Sequence, residues 1–387
     1  MTNDNRVYFP AAWMRGGSSK GLFVKAADLP ADPTIRDAWL LRAMGSPDPY
    51  GTQMDGLGGG TSSTSKVVVV DESAPEGCDL SYHFGAVAVG EQLIDWSGNC
   101  GNLTTAVAPF AIREGLIPVP WSEALEHVPV RLWMATQRRV IVARVPVQRG
   151  KVVETGEFRL DGVAFPGAEI ALTFEDPAGE GSVLPTGRAR ETLVVAGLGE
   201  VEVSLVDAGN PTVFVGAGAL GIEGTEPRAQ LADNAHFLAS CEAIRAVATV
   251  AMGLAETPEA ATRKRPHAPK LAWVCSSRDY QASDGRQIRT EETDLIVRMV
   301  SMGQVHHAIT GTGSVATAAA AVIPGTLVNG AVHGERLPGE VRIGHTAGVL
   351  CVTAEAEARA GRWCIRAVHL SRTARLLMVG DVPVPDP

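Results

Sequence analysis

Apolar residues in this chain come in short runs, each closed by glycine, proline or aspartate. Val7–Pro10, Gly21–Val24, Val67–Val70, Val128–Met134, Val140–Val147, Ile170–Phe174, Leu193–Val195, Val201–Val206, Val213–Val215, Leu271–Val274, Ile296–Met302, Glu340–Ile343, Val349–Thr353 and Cys364–His369 are such runs, and their length and punctuation predict strands. Helical periodicity is rarer. Ile35–Met44 is one candidate, and Leu231–Leu254 is the longest, with Phe237, Cys241, Ile244, Ala248 and Ala251 stepping by three and four along one stripe. Two more helices are predicted after the glycines at 101 and 313. Many strands, few helices and no regular βαβ alternation predict an α+β fold.

The pattern also repeats. VYFPAAWMRGGSSKGLFV near the start reads strand, Gly-rich turn, strand, and VEVSLVDAGNPTVFV from Val201 reads the same way. In each half a helix follows, and then a lysine opens an apolar strand: Lys66-Val-Val-Val-Val and Lys270-Leu-Ala-Trp-Val. Each half next offers a turn feeding a helix, Gly98-Asn-Cys-Gly-Asn-Leu-Thr-Thr and Thr310-Gly-Thr-Gly-Ser-Val-Ala-Thr. Laying Gly101 on Gly313 pairs Cys100 with Thr312 and Asn102 with Ser314. The spacings differ, 34 residues from Lys66 to Cys100 against 42 from Lys270 to Thr312, so architecture repeats more than sequence. Two similar domains are expected, 1–182 and 183–387, divided within the Gly/Pro/Glu-rich stretch Asp176–Arg190, with the terminal strands free to return to the first.

A length of 387 residues suits two domains that each bury a core. With 45% apolar and 20% charged residues the composition is globular, not disordered. Lys and Arg number 34 against 43 Asp and Glu, a net charge of −9, and the basic residues are scattered. That argues against nucleic acid, which requires a basic face. The run Arg263-Lys264-Arg265 beside Pro266 reads as a solvated linker. An anionic ligand must be held locally instead, by backbone amides and a few placed cations. No stretch nears the roughly 18 apolar residues of a membrane span, and MTNDNRVYFP lacks the basic-then-apolar run of a signal peptide, so a cytoplasmic location with free thiols is expected. Cysteines at 78, 100, 241, 275, 351 and 364 form no CxxC and no Cys/His cluster with zinc spacing, and no metal is expected.

Four segments carry candidate chemistry. Cys100, just ahead of a predicted helix, would sit against free N–H groups and the positive end of the helix dipole, which favours a thiolate. The flanking Asn99, Gly101 and Asn102 suit a carboxylate; the plainer alternative is a turn around an inert thiol. Gly56-Leu-Gly-Gly-Gly-Thr-Ser-Ser-Thr-Ser65-Lys66 superficially resembles a phosphate loop, but that motif needs glycine before the lysine and a hydroxyl after it. What remains is a lysine at the mouth of a buried strand, either a partly desolvated general base or a snorkelling surface residue. Arg15-Gly-Gly-Ser18-Ser-Lys-Gly is either a carboxylate receptor or a polar hairpin turn. Thr312-Gly313-Ser314 is either an amide nest for an anion or an N-cap for an Ala-rich helix. His306-His307 has no third ligand at a recognisable distance. No Ser-His-Asp signature, HExxH or post-strand GxGxxG occurs, leaving Lys and Cys as acid/base groups that move a proton beside a carboxylate without cofactor, metal or hydrolysis.

Seven segments in order, MRGGSSKGLF, GLGGGTSSTSKV, GNCGNLTTAVAPFAI, PAGEGSVLPTG, DAGNPTVFV, TGTGSVATAAA and IGHTAGV, resemble the PrpF family of isomerases in the diaminopimelate-epimerase-like superfamily. Within it the chain looks most like the 4-oxalomesaconate isomerase/tautomerase (LigU-type) branch of the protocatechuate 4,5-cleavage pathway in lignin-derived aromatic degradation. The resemblance implies two β-barrel-like halves, each wrapping a central helix, with a cleft between them. It implies a cysteine from each half in the superfamily's epimerases, and here Thr312 stands where the second is expected. A lysine matching Lys66 then supplies the missing function, shifting a double bond by 1,3-proton transfer with Cys100 as its partner. The substrate implied is an unsaturated tricarboxylate, 4-oxalomesaconate or alternatively 2-methylaconitate, held by Arg15, Ser18, Asn99, Gly101, Asn102, Thr312, Gly313 and Ser314. A non-catalytic carboxylate-binding protein is the remaining alternative. No cofactor, nucleic acid or membrane partner is implied; a homodimer is compatible with the family, and composition does not fix the oligomeric state.

Overall fold

The structure, a computed structural model, describes residues 6–179, 181–334, 337–359 and 361–385. It divides into two compact units, one of residues 1–159, 165–171 and 372–387, the other of 160–164 and 172–371. The division falls just ahead of the Asp176–Arg190 stretch, and the last residues rejoin the first unit by pairing strand Ala374–Pro385 antiparallel with Arg6–Gly16.

In the first unit a hairpin of Arg6–Gly16 and Ser19–Lys25 turns at Gly17, whose φ of +50° is left-handed. Ser19–Lys25 runs parallel to Lys66–Asp71, with Leu22 opposite Val67. Lys66–Asp71 pairs antiparallel with Leu80–Val87, which runs parallel to Glu126–Met134. The helix Gly101–Arg113 is buried from Gly101 to Ile112 and packs on the strands around it. A helix hidden on every side must be apolar or small on every side, and its Leu, Ala, Val and Phe residues meet that demand.

The second unit repeats the order. Gly199–Ala208 and Asn210–Gly216 form the hairpin, turning at Gly209 with φ +71°. Asn210–Gly216 runs parallel to Lys270–Ser276, which pairs antiparallel with Leu295–Ser301, itself parallel to Glu340–His345. The buried helix is Gly311–Val322. Both lysines that were read as opening a strand do so.

The other helices follow their caps. Pro33–Met44 starts where the Asp32 carboxylate accepts from the N–H groups of Thr34 and Ile35, and stops at Gly45 in the left-handed region. The long helix runs Ala235–Ala251, four residues shorter at its start than the stripe suggested, because the Asn234 side chain accepts from Phe237 N–H and caps it. Its Phe237, Cys241, Ile244 and Ala248 are buried, Phe237 meeting the edge of Trp273 at 5.4 Å.

Candidate active site

Strand pairing brings three reactive groups of the first unit together. Lys66, Ser19 and Cys100 belong to two parallel strands and the helix packed on them, and Gly21 allows the strands their closeness: a Cβ there would lie 2.7 Å from the Lys66 carbonyl oxygen. Lys66 Nζ donates to Ser19 Oγ at 3.0 Å and to Cys100 Sγ at 3.1 Å. Lys66 is 4% exposed and Cys100 5%. The face of Phe84 covers the amine at 5.8 Å.

Cys100 is also the N-cap of its helix. Its sulfur accepts from Leu103 N–H at 3.5 Å, the position a capping oxygen would take. Burial pushes this thiol up, but the Lys66 charge, the Leu103 amide and the Lys66 and Ser19 hydrogen bonds outweigh it, and the net direction is down. Cys241 is the contrast: burial and Glu242 push it up to about 12. The sequence reading singled out Cys100 on its flanking asparagines and glycines ahead of a helix, and the structure places it at that helix's N-cap.

Around the pair, Asn99 braces the helix start. Its Oδ1 accepts from Cys100 N–H at 2.7 Å and from Tyr82 Oη at 3.2 Å. Burial raises the Tyr82 phenol, so it remains a donor. Asn102 Nδ2 donates to Ser18 Oγ at 3.0 Å, while its Oδ1 accepts from Arg372 Nε at 3.2 Å. Arg15 donates through Nη1 to the carbonyls of Gly17 and Thr373, stapling the turn. The Gly-rich loop before Lys66 closes on buried Gln53, whose Oε1 accepts from Gly60 N–H and Ser65 Oγ. Tyr82, Ser19 and Arg372 were not singled out from sequence. Ser19 lay inside a quoted motif, whereas Arg372 is 270 residues from Asn102 and gives no local signal.

In the second unit the helix register corrects the alignment of the halves. Thr310 is the N-cap of Gly311–Val322, its Oγ1 accepting from Gly313 N–H at 3.0 Å, so Cys100 corresponds to Thr310 and Gly101 to Gly311, two residues earlier than expected. Gly313 N–H and Ser314 N–H are both committed to Thr310, and Ser314 Oγ donates to the Gly311 carbonyl at 2.7 Å. The first-turn amides open to an anion are therefore those of Gly311 and Thr312. Thr312 is fully buried, and its hydroxyl has no hydrogen-bond partner. Lys270 is turned to other uses, its Nζ 2.8 Å from Ser301 Oγ and 3.0 Å from His267 Nδ1. His306 and His307 stack on one another, and His306 Nδ1 accepts from Ala308 N–H. Among the described residues no group of three or more His, Cys, Asp or Glu is placed to hold a metal ion, and no helix is long and apolar enough to cross a membrane.

Comparison with known proteins agrees with this architecture. The 2-methyl-aconitate isomerase of Cupriavidus necator is 44% identical over all of this chain and 99% of its own length. The (4E)-oxalomesaconate Delta-isomerase of Novosphingobium sp. (strain KA1) is 38% identical over 96% of each. A crystal structure of methylitaconate-delta-isomerase matches with a TM-score of 0.75 at 36% identity, covering 98% of this chain and 96% of that one. The α+β, epimerase-like fold expected from sequence is the one found. The expected order of relatives is reversed, the 2-methylaconitate branch standing nearer than the oxalomesaconate branch. The PrpF protein family model matches residues 6–385, and with relatives of this name and coverage the chain is an isomerase and belongs to the PrpF family.

Proposed function

We propose that this isomerase moves a double bond in an unsaturated tricarboxylate by 1,3-allylic proton transfer, with 2-methylaconitate as substrate ahead of 4-oxalomesaconate. The observation that carries the chemistry is the 3.1 Å contact between Lys66 Nζ and Cys100 Sγ at a buried helix N-terminus. The pair holds one mobile proton. In the resting ammonium–thiolate form Lys66 passes a proton to Cys100, and the neutral amine then takes the allylic proton from the substrate. The electron pair of the broken C–H bond spreads through the allyl unit into a carboxylate as a dienolate. Lys66 returns the proton at the far carbon, the double bond shifts, and the formula is unchanged. Arg15, Ser18, Asn99, Gly101 and Asn102 hold the carboxylates of the substrate, and the Gly101 and Asn102 amides favour the charge that develops. Within the second unit, the N-terminus of Gly311–Val322 with the unpartnered Thr312 hydroxyl is by itself suited to a carboxylate.

The preference for 2-methylaconitate is supported by the higher identity to the Cupriavidus necator enzyme, and so reverses the ranking drawn from the motifs. Proton NMR in deuterated buffer with each substrate tests it. Double-bond migration with deuterium uptake is expected, faster for 2-methylaconitate. Migration without deuterium in product or recovered substrate, in both substrates, speaks against proton exchange at Lys66, and no migration of either removes the reading.

A further inference from the structure

The inference rests on Lys66 and Cys100 as the proton-transfer pair, and it concerns Arg372. This residue ends the strand Arg362–Arg372 and is 1% exposed. A guanidinium taken wholly out of water is costly to hold unless its donors and charge are answered. Its Nε donates to Asn102 Oδ1 at 3.2 Å, and Asn102 Nδ2 donates onward to Ser18 Oγ at 3.0 Å. With its oxygen held by a cation and its nitrogen by a hydroxyl, the Asn102 amide has one orientation. The next residue fixes the attachment, for the Thr373 carbonyl accepts from Gly17 N–H at 2.9 Å and from Arg15 Nη1 at 2.8 Å. A Cβ on Gly17 would lie 2.5 Å from Asn102 Oδ1, so the turn closes on that amide only because residue 17 is glycine.

Charge points the same way. Burial pushes the Arg372 guanidinium down to about 10 and the Cys100 thiolate pulls it back, so it stays a cation at neutral pH. Cys100 is faced by Lys66 from its strand, by Ser19 from the hairpin, by Tyr82 from Leu80–Val87 and by Arg372 from the returning C-terminal segment.

We propose that Arg372 is a positioning residue of the active site: through its Nε bond it locks the Asn102 amide against Ser18. Arg372→Lys keeps a cation there and loses the Nε bond, whereas Arg372→Met loses both. The KM for 2-methylaconitate should rise about tenfold in Arg372→Lys, the loss of one charge-assisted hydrogen bond, with kcat changed by less than about twofold. Affinity for tricarballylate, a saturated tricarboxylate that cannot isomerise, should fall by the same factor in calorimetry and reads the positioning without turnover. An Arg372→Lys protein with wild-type KM and wild-type tricarballylate affinity overturns the proposal, and so does one whose kcat falls while KM holds. If Arg372→Met does not fold, Arg372→Lys alone carries the test. If wild type turns over neither tricarboxylate, the functional reading falls while the tricarballylate comparison still decides the role of Arg372.

Discussion

Replacing Lys66 by methionine isolates what keeps Cys100 ionised. Methionine preserves an unbranched stem against Phe84 and removes the nitrogen that stands 3.1 Å from the sulfur. Cys241 shows the direction that burial, with Glu242 beside it, takes a thiol in this protein, up to about 12, whereas the net direction for Cys100 is down. Unit charges at the Lys66–Cys100 separation attract by on the order of 5 kcal/mol at an effective dielectric of 20, enough to reverse the cost of burial. The Cys100 midpoint in Lys66→Met is therefore expected to rise by about two to three pH units. Thiolate absorbance, differenced against Lys66→Met/Cys100→Ser, measures it free of the other five cysteines. Stability supplies a second readout. In the wild type the folded thiol ionises more readily than the unfolded one, so its contribution is full above about pH 8.5 and is lost as pH falls through the folded midpoint. In Lys66→Met the folded thiol holds its proton longer than the unfolded one, and stability should instead fall as pH rises beyond about 8.5. A midpoint unmoved by the substitution, or a slope of unchanged sign, refutes the assignment of Lys66 as the charge that ionises Cys100.

The corrected register separates two threonines: Thr310→Ala loses a cap and should cost about 1 kcal/mol, whereas Thr312→Val removes a buried hydroxyl without a partner and should leave stability unchanged or raise it by up to about 1 kcal/mol. Urea unfolding of the two checks this, and the reverse order would restore the original alignment. Gly17→Ala forces a side chain into a left-handed turn and onto Asn102 Oδ1; thermal unfolding should show a loss of about 2 kcal/mol, accompanied by a higher KM for the tricarboxylate.

The residues that could be read from sequence were those whose chemistry shows in their neighbours. Lys66 announced itself by the valines that follow it, and Cys100 by the glycines and asparagines around it, because strand burial and helix capping act over a few residues. Thr310 was missed for an equally local reason. The segment holds two Thr-Gly pairs, and the choice between Thr310-Gly311 and Thr312-Gly313 turns on which hydroxyl reaches the third amide, a matter of backbone geometry rather than composition. Arg372 left no trace at all. Its role depends on a strand that returns to the first unit after the whole of the second, and a contact across 270 residues has no periodicity to read. Gly and Pro in Asp176–Arg190 mark turns, and the two compact units part a little ahead of that stretch, between 159 and 172.

The internal repeat sets the Lys66–Cys100 contact of the first unit beside a differently furnished counterpart in the second. Both units place a lysine at the start of a strand parallel to the hairpin, beside a buried helix. Four differences then decide what each amine meets. Opposite Lys66 stands Ala86, which offers no polar atom, while at the matching position Ser301 binds Lys270. Three residues before the lysine the first unit has Ser63 and the second has His267, which takes another of the Lys270 contacts. Where Phe84 walls the Lys66 amine, Met299 packs on the helix N-terminus, its sulfur 2.9 Å from Thr310 Oγ1. Last, the cap is a thiol in one unit and a hydroxyl in the other, and only the thiol can carry the negative charge that a neighbouring ammonium stabilises near neutral pH. Lys270 is engaged by a serine and an imidazole, whereas Lys66 meets a thiol at 3.1 Å. The same scaffold therefore sets a lysine against a thiol in the first unit and against a serine and an imidazole in the second, and the division follows from those side chains rather than from any difference in fold.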